Sequence, residues 1–153
     1  GQLVNNNSAT QLKGIGPMYG TPMIKLPESP PPADEAVEIG VPLRSEHGAT
    51  LRVIVASLGS DNGLSIDEID DLKLAVSEVF SILIDDAGAV PRRAVVRYWS
   101  EVGTIRVHLT HDGDNLGLKL DALARAILSS VVDDYTVDAD GIMLLKGASE
   151  LTT

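Results

Sequence analysis

The stretch from Ser65 to Asp86 constrains the fold more than any other part of the chain. Ser65 followed three residues later by Glu68 is a capping box, in which each side chain satisfies a backbone N–H left free at a helix start. Ile66, Ile69, Leu72, Val76, Val79, Phe80 and Leu83 then recur at three- and four-residue steps, the period of an amphipathic helix. The pattern predicts one long helix over residues 66–86, stopped near Gly88 and Pro91. A helix with one long apolar stripe needs a second layer to bury it, so the flanking sequence must supply a sheet or more helices.

It supplies both. Ala36 to Val41 alternates apolar with small or polar residues, as a strand does, and Pro42 ends it or places it at an edge. A helix is predicted from Glu46 to Leu58, with Leu51, Ile54, Val55 and Leu58 on one face, and a loop from Gly59 to Gly63. Beyond the long helix, Ala94–Trp99 and Thr104–Leu109 are rich in β-formers and joined by a short turn, which reads as a hairpin. His111 to Asn115 is a turn. A third helix is predicted from Leu116 to Val132, with Leu116, Leu120, Leu123, Ile127 and Val131 inward. Tyr135–Val137 and Gly141–Leu145 flank a tight turn. The order β-α-α-β-β-α-β-β predicts an α/β (α+β) two-layer sandwich, a mixed sheet covered on one face by three helices.

Composition narrows what such a domain does. The chain has 153 residues, enough for one domain with a real core, and no cysteine. That excludes a disulfide scaffold, a cysteine-ligated zinc site and a cysteine nucleophile. Six of the eight prolines fall in residues 1–33, which reads as a Pro-rich flexible tail preceding a domain over 34–153. The alternative for Met23-Ile24-Lys25-Leu26 within it is a docking peptide or an added strand. Lys13 and Lys25 against Glu28 leave the tail at +1, so of the net −10 the domain carries −11. Such acidity argues against a phosphate-backbone binder and for a partner with a basic surface. No apolar run is long enough to span a membrane, and no basic-then-apolar leader is visible, so a cytoplasmic protein is expected. His47, His108 and His111 lack metal-ligand spacing and are expected in surface or hairpin roles. Asp112 to Asn115 lacks the twelfth-position Glu of a calcium loop, so turn chemistry is the better account. Trp99 is expected to be core or half-buried.

Asp70-Asp71-Leu72-Lys73-Leu74-Ala75-Val76-Ser77-Glu78-Val79 resembles the second-helix signature of the anti-sigma factor/serine kinase family. These are partner-switching regulators of the histidine-kinase-like ATPase (Bergerat) type. Leu116-Gly117-Leu118, the run Val131 to Val137 and the strand Gly141 to Gly147 extend the resemblance over about residues 35–147. It implies that Glu78 holds the place of the general base that acts on a target serine hydroxyl. It also implies a nucleotide site for ATP and Mg²⁺ involving Asp86, Asp112, Gly113 and Gly117.

Three departures bear on that site. The family's Mg²⁺-ligating Asn, four residues after the Glu, is Ile82 here, which offers no lone pair to a hard cation. The adenine-binding Asp-x-Gly-x-Gly box reads His111-Asp112-Gly113-Asp114-Asn115, so His111 replaces the first Asp and Asn115 the second Gly; a one-residue slip would bring Asp112 to the pocket. The flexible lid before the third helix is essentially missing, because Asn115 is claimed by both boxes. The resemblance with these departures implies weak ATP binding or none. It further implies an anti-sigma factor-like regulator that binds a sigma factor or an anti-anti-sigma partner, as a homodimer and in stress-response control. The alternative is an ATP-dependent serine/threonine kinase that phosphorylates an anti-sigma factor antagonist.

Overall fold

A computed structural model describes residues 35–101, 103–113 and 117–149; the tail over 1–33 lies outside the described residues. Five strands are formed: β1 (Val37–Pro42), β2 (Arg93–Glu101), β3 (Thr104–His111), β4 (Asp134–Asp138) and β5 (Gly141–Gly147). The helices are α1 (Gly48–Asp61, after a 3₁₀ turn at Ser45–His47), α2 (Ile66–Ala87) and α3 (Ala122–Val131). The β-α-α-β-β-α-β-β order is the one read from the sequence.

The capping box forms in full. Ser65 Oγ accepts from the Glu68 N–H and Glu68 Oε1 accepts from the Ser65 N–H. Gly88, at φ 63°, ends α2. Leu72, Ala75, Val76, Val79, Phe80 and Leu83 are buried along the helix, but Ile66 is not. At the first helical position it lies beyond the packed stripe and is 78% exposed. Helix α1 begins two residues later than expected and runs on through Gly59 to Asp61.

The sheet order is β1-β2-β3-β5-β4. Where the sequence suggests a mixed sheet, every neighbouring pair is antiparallel. Two topological facts account for this. The hairpin of α1 and α2 returns the chain to the end of the sheet where β1 finished, so β2 runs back along it. The single helix α3 would make β4 parallel to β3, but β5 inserts between them through the tight turn after Asp138.

The alternation of strand side chains divides the sheet into two faces. Tyr98 donates its hydroxyl to the Leu51 carbonyl of α1, which marks the inner face. Val96, Val107, Leu109, Ile142 and Leu144 share it and form the core with the helices. Arg97, Trp99, Arg106, His108, Met143 and Leu145 project from the other face.

Helix α3 starts at Ala122, not at Leu116, and residues 117–120 are coil. Asp121 is the reason: its carboxylate accepts from the Ala124 N–H and sets the N-cap there. The phase of the helix shifts accordingly. Ala124, Leu128 and Val131 are buried, while Leu123 is 69% exposed.

Candidate functional site

Helix α2 carries a second face beside its apolar stripe. Glu78, Ser81, Ile82, Asp85 and Asp86 follow one another at helical spacing and line a cleft of about 300 Å³, closed on its other side by Gly117, Lys119 and Asp121. The coil before α3 is what brings Gly117 and Lys119 to this wall. Asp121 places its carboxylate at the positive end of the α3 dipole. Four carboxylates and one ammonium therefore line the cleft, three of the carboxylates on α2 and the fourth beside Lys119.

One end of the cleft is tied shut. His111, the last residue of β3, is buried, with Nε2 2.7 Å from Asp86 Oδ2. Its Nδ1 accepts the Gly113 N–H at 2.9 Å, so the ring proton resides on Nε2 and is donated to Asp86. Both ring nitrogens are thus engaged, and the last turn of α2 is fastened to the end of β3. Gly113 is required by this contact, since a Cβ there would lie 2.7 Å from the imidazole Cε1.

The site residues read from the sequence divide accordingly. Glu78, Asp86 and Gly117 come together in the cleft, and Ile82 lies among them. Asp112 and Gly113 are not on its walls. Asp112 turns to the start of β2, where its Oδ1 accepts the Arg93 N–H and its own N–H donates to the Arg93 carbonyl, each at 3.1 Å. Asp114, Asn115 and Leu116 lie outside the described residues. His111, expected in a surface or hairpin role, ends the second strand of the β2–β3 hairpin and is buried there. Lys119, Asp121 and Ser81 were not singled out by sequence; Asp121 was recognisable as a helix-capping residue ahead of Ala-Leu-Ala. Among the described residues, no three acidic or histidine side chains converge closely enough to hold a metal ion, and no helix is long and apolar enough to cross a membrane.

An antiparallel five-strand sheet layered with three helices has a counterpart among solved structures. The solved RsbU and RsbW domains of Rv1364c from Mycobacterium tuberculosis superpose with a TM-score of 0.53 over 74% of this chain and 32% of that one, at 14% identity. Serine-protein kinase RsbW of Bacillus cereus is 30% identical over 53 residues, 35% of this chain and 33% of the relative. The same enzyme of Bacillus thuringiensis matches to the same extent. The chain thus matches about a third of the length of these curated relatives. No family model matches. The chain is thus similar in part of its sequence to serine-protein kinase RsbW, and in its fold to the solved chain that holds an RsbW domain.

Proposed function

We propose that the chain is an anti-sigma factor-like regulator that binds a sigma factor or an anti-anti-sigma protein, with a cleft that no longer holds Mg-ATP tightly. The observation that carries this reading is the composition of the cleft: Ile82 stands among four carboxylates, and Asp86 is committed to His111. Mg²⁺ is held by oxygen ligands and substrate phosphates, and the sec-butyl side chain of Ile82 gives neither. Two unit charges about 4 Å apart at an effective dielectric near 20 repel by roughly 4 kcal/mol. Lys119 alone does not offset a triphosphate beside Glu78, Asp85 and Asp121. The residues present do not fit the nucleotide of the active kinases.

Calorimetric titration with Mg-ADP and Mg-ATP is the direct check. Heats of dilution alone are expected; a dissociation constant in the micromolar range overturns the proposal. For the partner, mixing the purified chain with the purified sigma factors and anti-anti-sigma proteins of its own genome is expected to yield at least one stable complex on gel filtration. Homodimerisation and action in the cytoplasm are part of the same reading, the former checked by sedimentation equilibrium.

The position of Glu78 on the cleft wall favours a second reading, an ATP-dependent kinase acting on a partner's serine. It demands phosphate transfer to that partner from labelled ATP, and loss of transfer in Glu78→Ala.

A further inference from the structure

The sheet face turned away from the helices is not built like a surface. On it, the strand register sets Trp99 of β2, Arg106 of β3 and Leu145 of β5 side by side. They are 6%, 8% and 1% exposed, and Met143, next along β5, is 7% exposed. Glu38 and Thr136, at the margins of the same face, are exposed. Strands lie about 4.8 Å apart, so in-plane neighbours shield the flanks of a side chain but leave its tip to solvent. Burial of a leucine to 1% in the middle of such a face requires a layer over it, and none of the described elements lies there.

The ends of the described chain decide what that layer is. At the C-terminal end, Ala148 donates to the Gly103 carbonyl and the Ser149 N–H to Glu68 Oε2 of α2. The chain there departs toward the helices. The chain leaves β3 at His111, the opposite end of that strand from Thr104. At the N-terminal end the geometry is different. Val37 pairs with Tyr98, so the chain just before it enters the sheet level with Trp99 on the neighbouring strand; Glu35 borders a small cavity at that end of the sheet, shared by Trp99 and Ser100 of β2 with Leu58 and Asn62 of α1. The preceding 34 residues therefore join the domain at the margin of the apolar patch. They include Ile15, Met18, Met23, Ile24 and Leu26. The patch is three strands wide, about 10 Å, which a few extended residues cross at roughly 3.3 Å each.

We propose that the segment before Glu35 docks on the outer face of the sheet over Trp99, Leu145 and Met143, and forms a third layer of the domain. The anti-sigma reading of the cleft is independent of this. The segment holds the face that would otherwise be open to a partner or to a second copy.

Trp99 is the sole tryptophan, and the chain has no cysteine, which makes the test direct. In the full chain, Trp99 fluorescence is expected to be blue-shifted and poorly quenched by acrylamide. Changing Ile15, Met18, Met23, Ile24 and Leu26 together to Ser is expected to red-shift the emission and raise the quenching constant several-fold, with the far-UV circular dichroism retained. Solvent-like emission in the unaltered chain overturns the proposal. So does protection that survives the five changes, and so does protection that is lost on dilution, which would assign the cover to a second copy. A second measurement stands apart from the fold of that variant. A nitroxide on Thr21→Cys or on Ser29→Cys in the full chain is expected to broaden the Trp99 indole N–H resonance; no broadening from either position overturns the docking.

Discussion

Among the described glycines, Gly141 is the one at which an added carbon makes the closest approach. It sits at φ 132°, and a Cβ there would lie 2.3 Å from the Leu109 carbonyl oxygen. Gly88 also has positive φ, at 63°, but a Cβ there meets nothing within 4 Å. Gly141→Ala is therefore expected to destabilise by about 3 kcal/mol, strain and overlap together, and Gly88→Ala by about 1 kcal/mol. Urea unfolding of the two variants checks both values; equal losses would show that the close approach at Gly141 is relieved. Single residues were unevenly legible. Glu78, Ile82 and Asp86 share a helix, so the helical period alone placed them on one wall. The His111 bond to Asp86 joins residues 25 apart in sequence, and no local pattern announces it. Asp112 beside Arg93 is hidden for the same reason.

At the scale of elements, the start of α2 carries more than its own cap. Glu68 accepts from the Ser65 N–H through one carboxylate oxygen and from the Ser149 N–H through the other, each at 2.7 Å. These bonds, the one to Ser65 foremost, lower its pKa from 4.5 to about 2. A carboxyl group held below its unfolded pKa stabilises the fold fully above pH 4.5, and that share is lost as pH falls from 4.5 toward 2. Glu68→Gln is thus expected to be less stable than the parent at pH 7 and to lose less between pH 5 and 2, with the curves converging in acid. Urea midpoints across that range check it; parallel curves would count against it. Ser65→Ala removes the other half of the box and is expected to cost about 1 kcal/mol. Helix α2 was readable in full because its cap, its period and its stop all agree. Helix α3 was read too long at its start because Leu116, Gly117, Leu118 and Leu120 extend an apolar pattern through a coil, and a lone Asp cap without a Glu three residues on is a weaker signal than a capping box. That phase error put Leu123 inside and overlooked Leu128.

For the whole molecule, net charge is the property most open to experiment. The formal −10 sets up a field that attracts a basic partner, and such steering is screened as the Debye length shrinks from about 10 Å at 0.1 M salt to about 3 Å at 1 M. The association rate with the partner is expected to fall steeply over that range while the dissociation rate changes little, which stopped-flow mixing resolves. The layer order of the fold was legible in sequence because each element declares its own period. The antiparallel sheet was not, because pairing partners depend on which strand slips between which. Trp99 is buried, as its type and strand position suggested, but its place with Leu145 on the face without helices was not legible, because strand alternation says nothing about what lies above.

The placement of β5 has a consequence for how the protein is made. It follows the other four described strands in sequence, yet it is bonded on both sides, to β3 and to β4. A nascent chain leaving the ribosome therefore carries β1, β2 and β3 as a sheet whose growing edge, along Thr104–His111, stays unsatisfied until Gly147 has cleared the exit tunnel. An open edge with Ile105, Val107 and Leu109 on one side is the kind that recruits a neighbouring chain. In the folded domain β5 covers that edge along Thr104–Leu109.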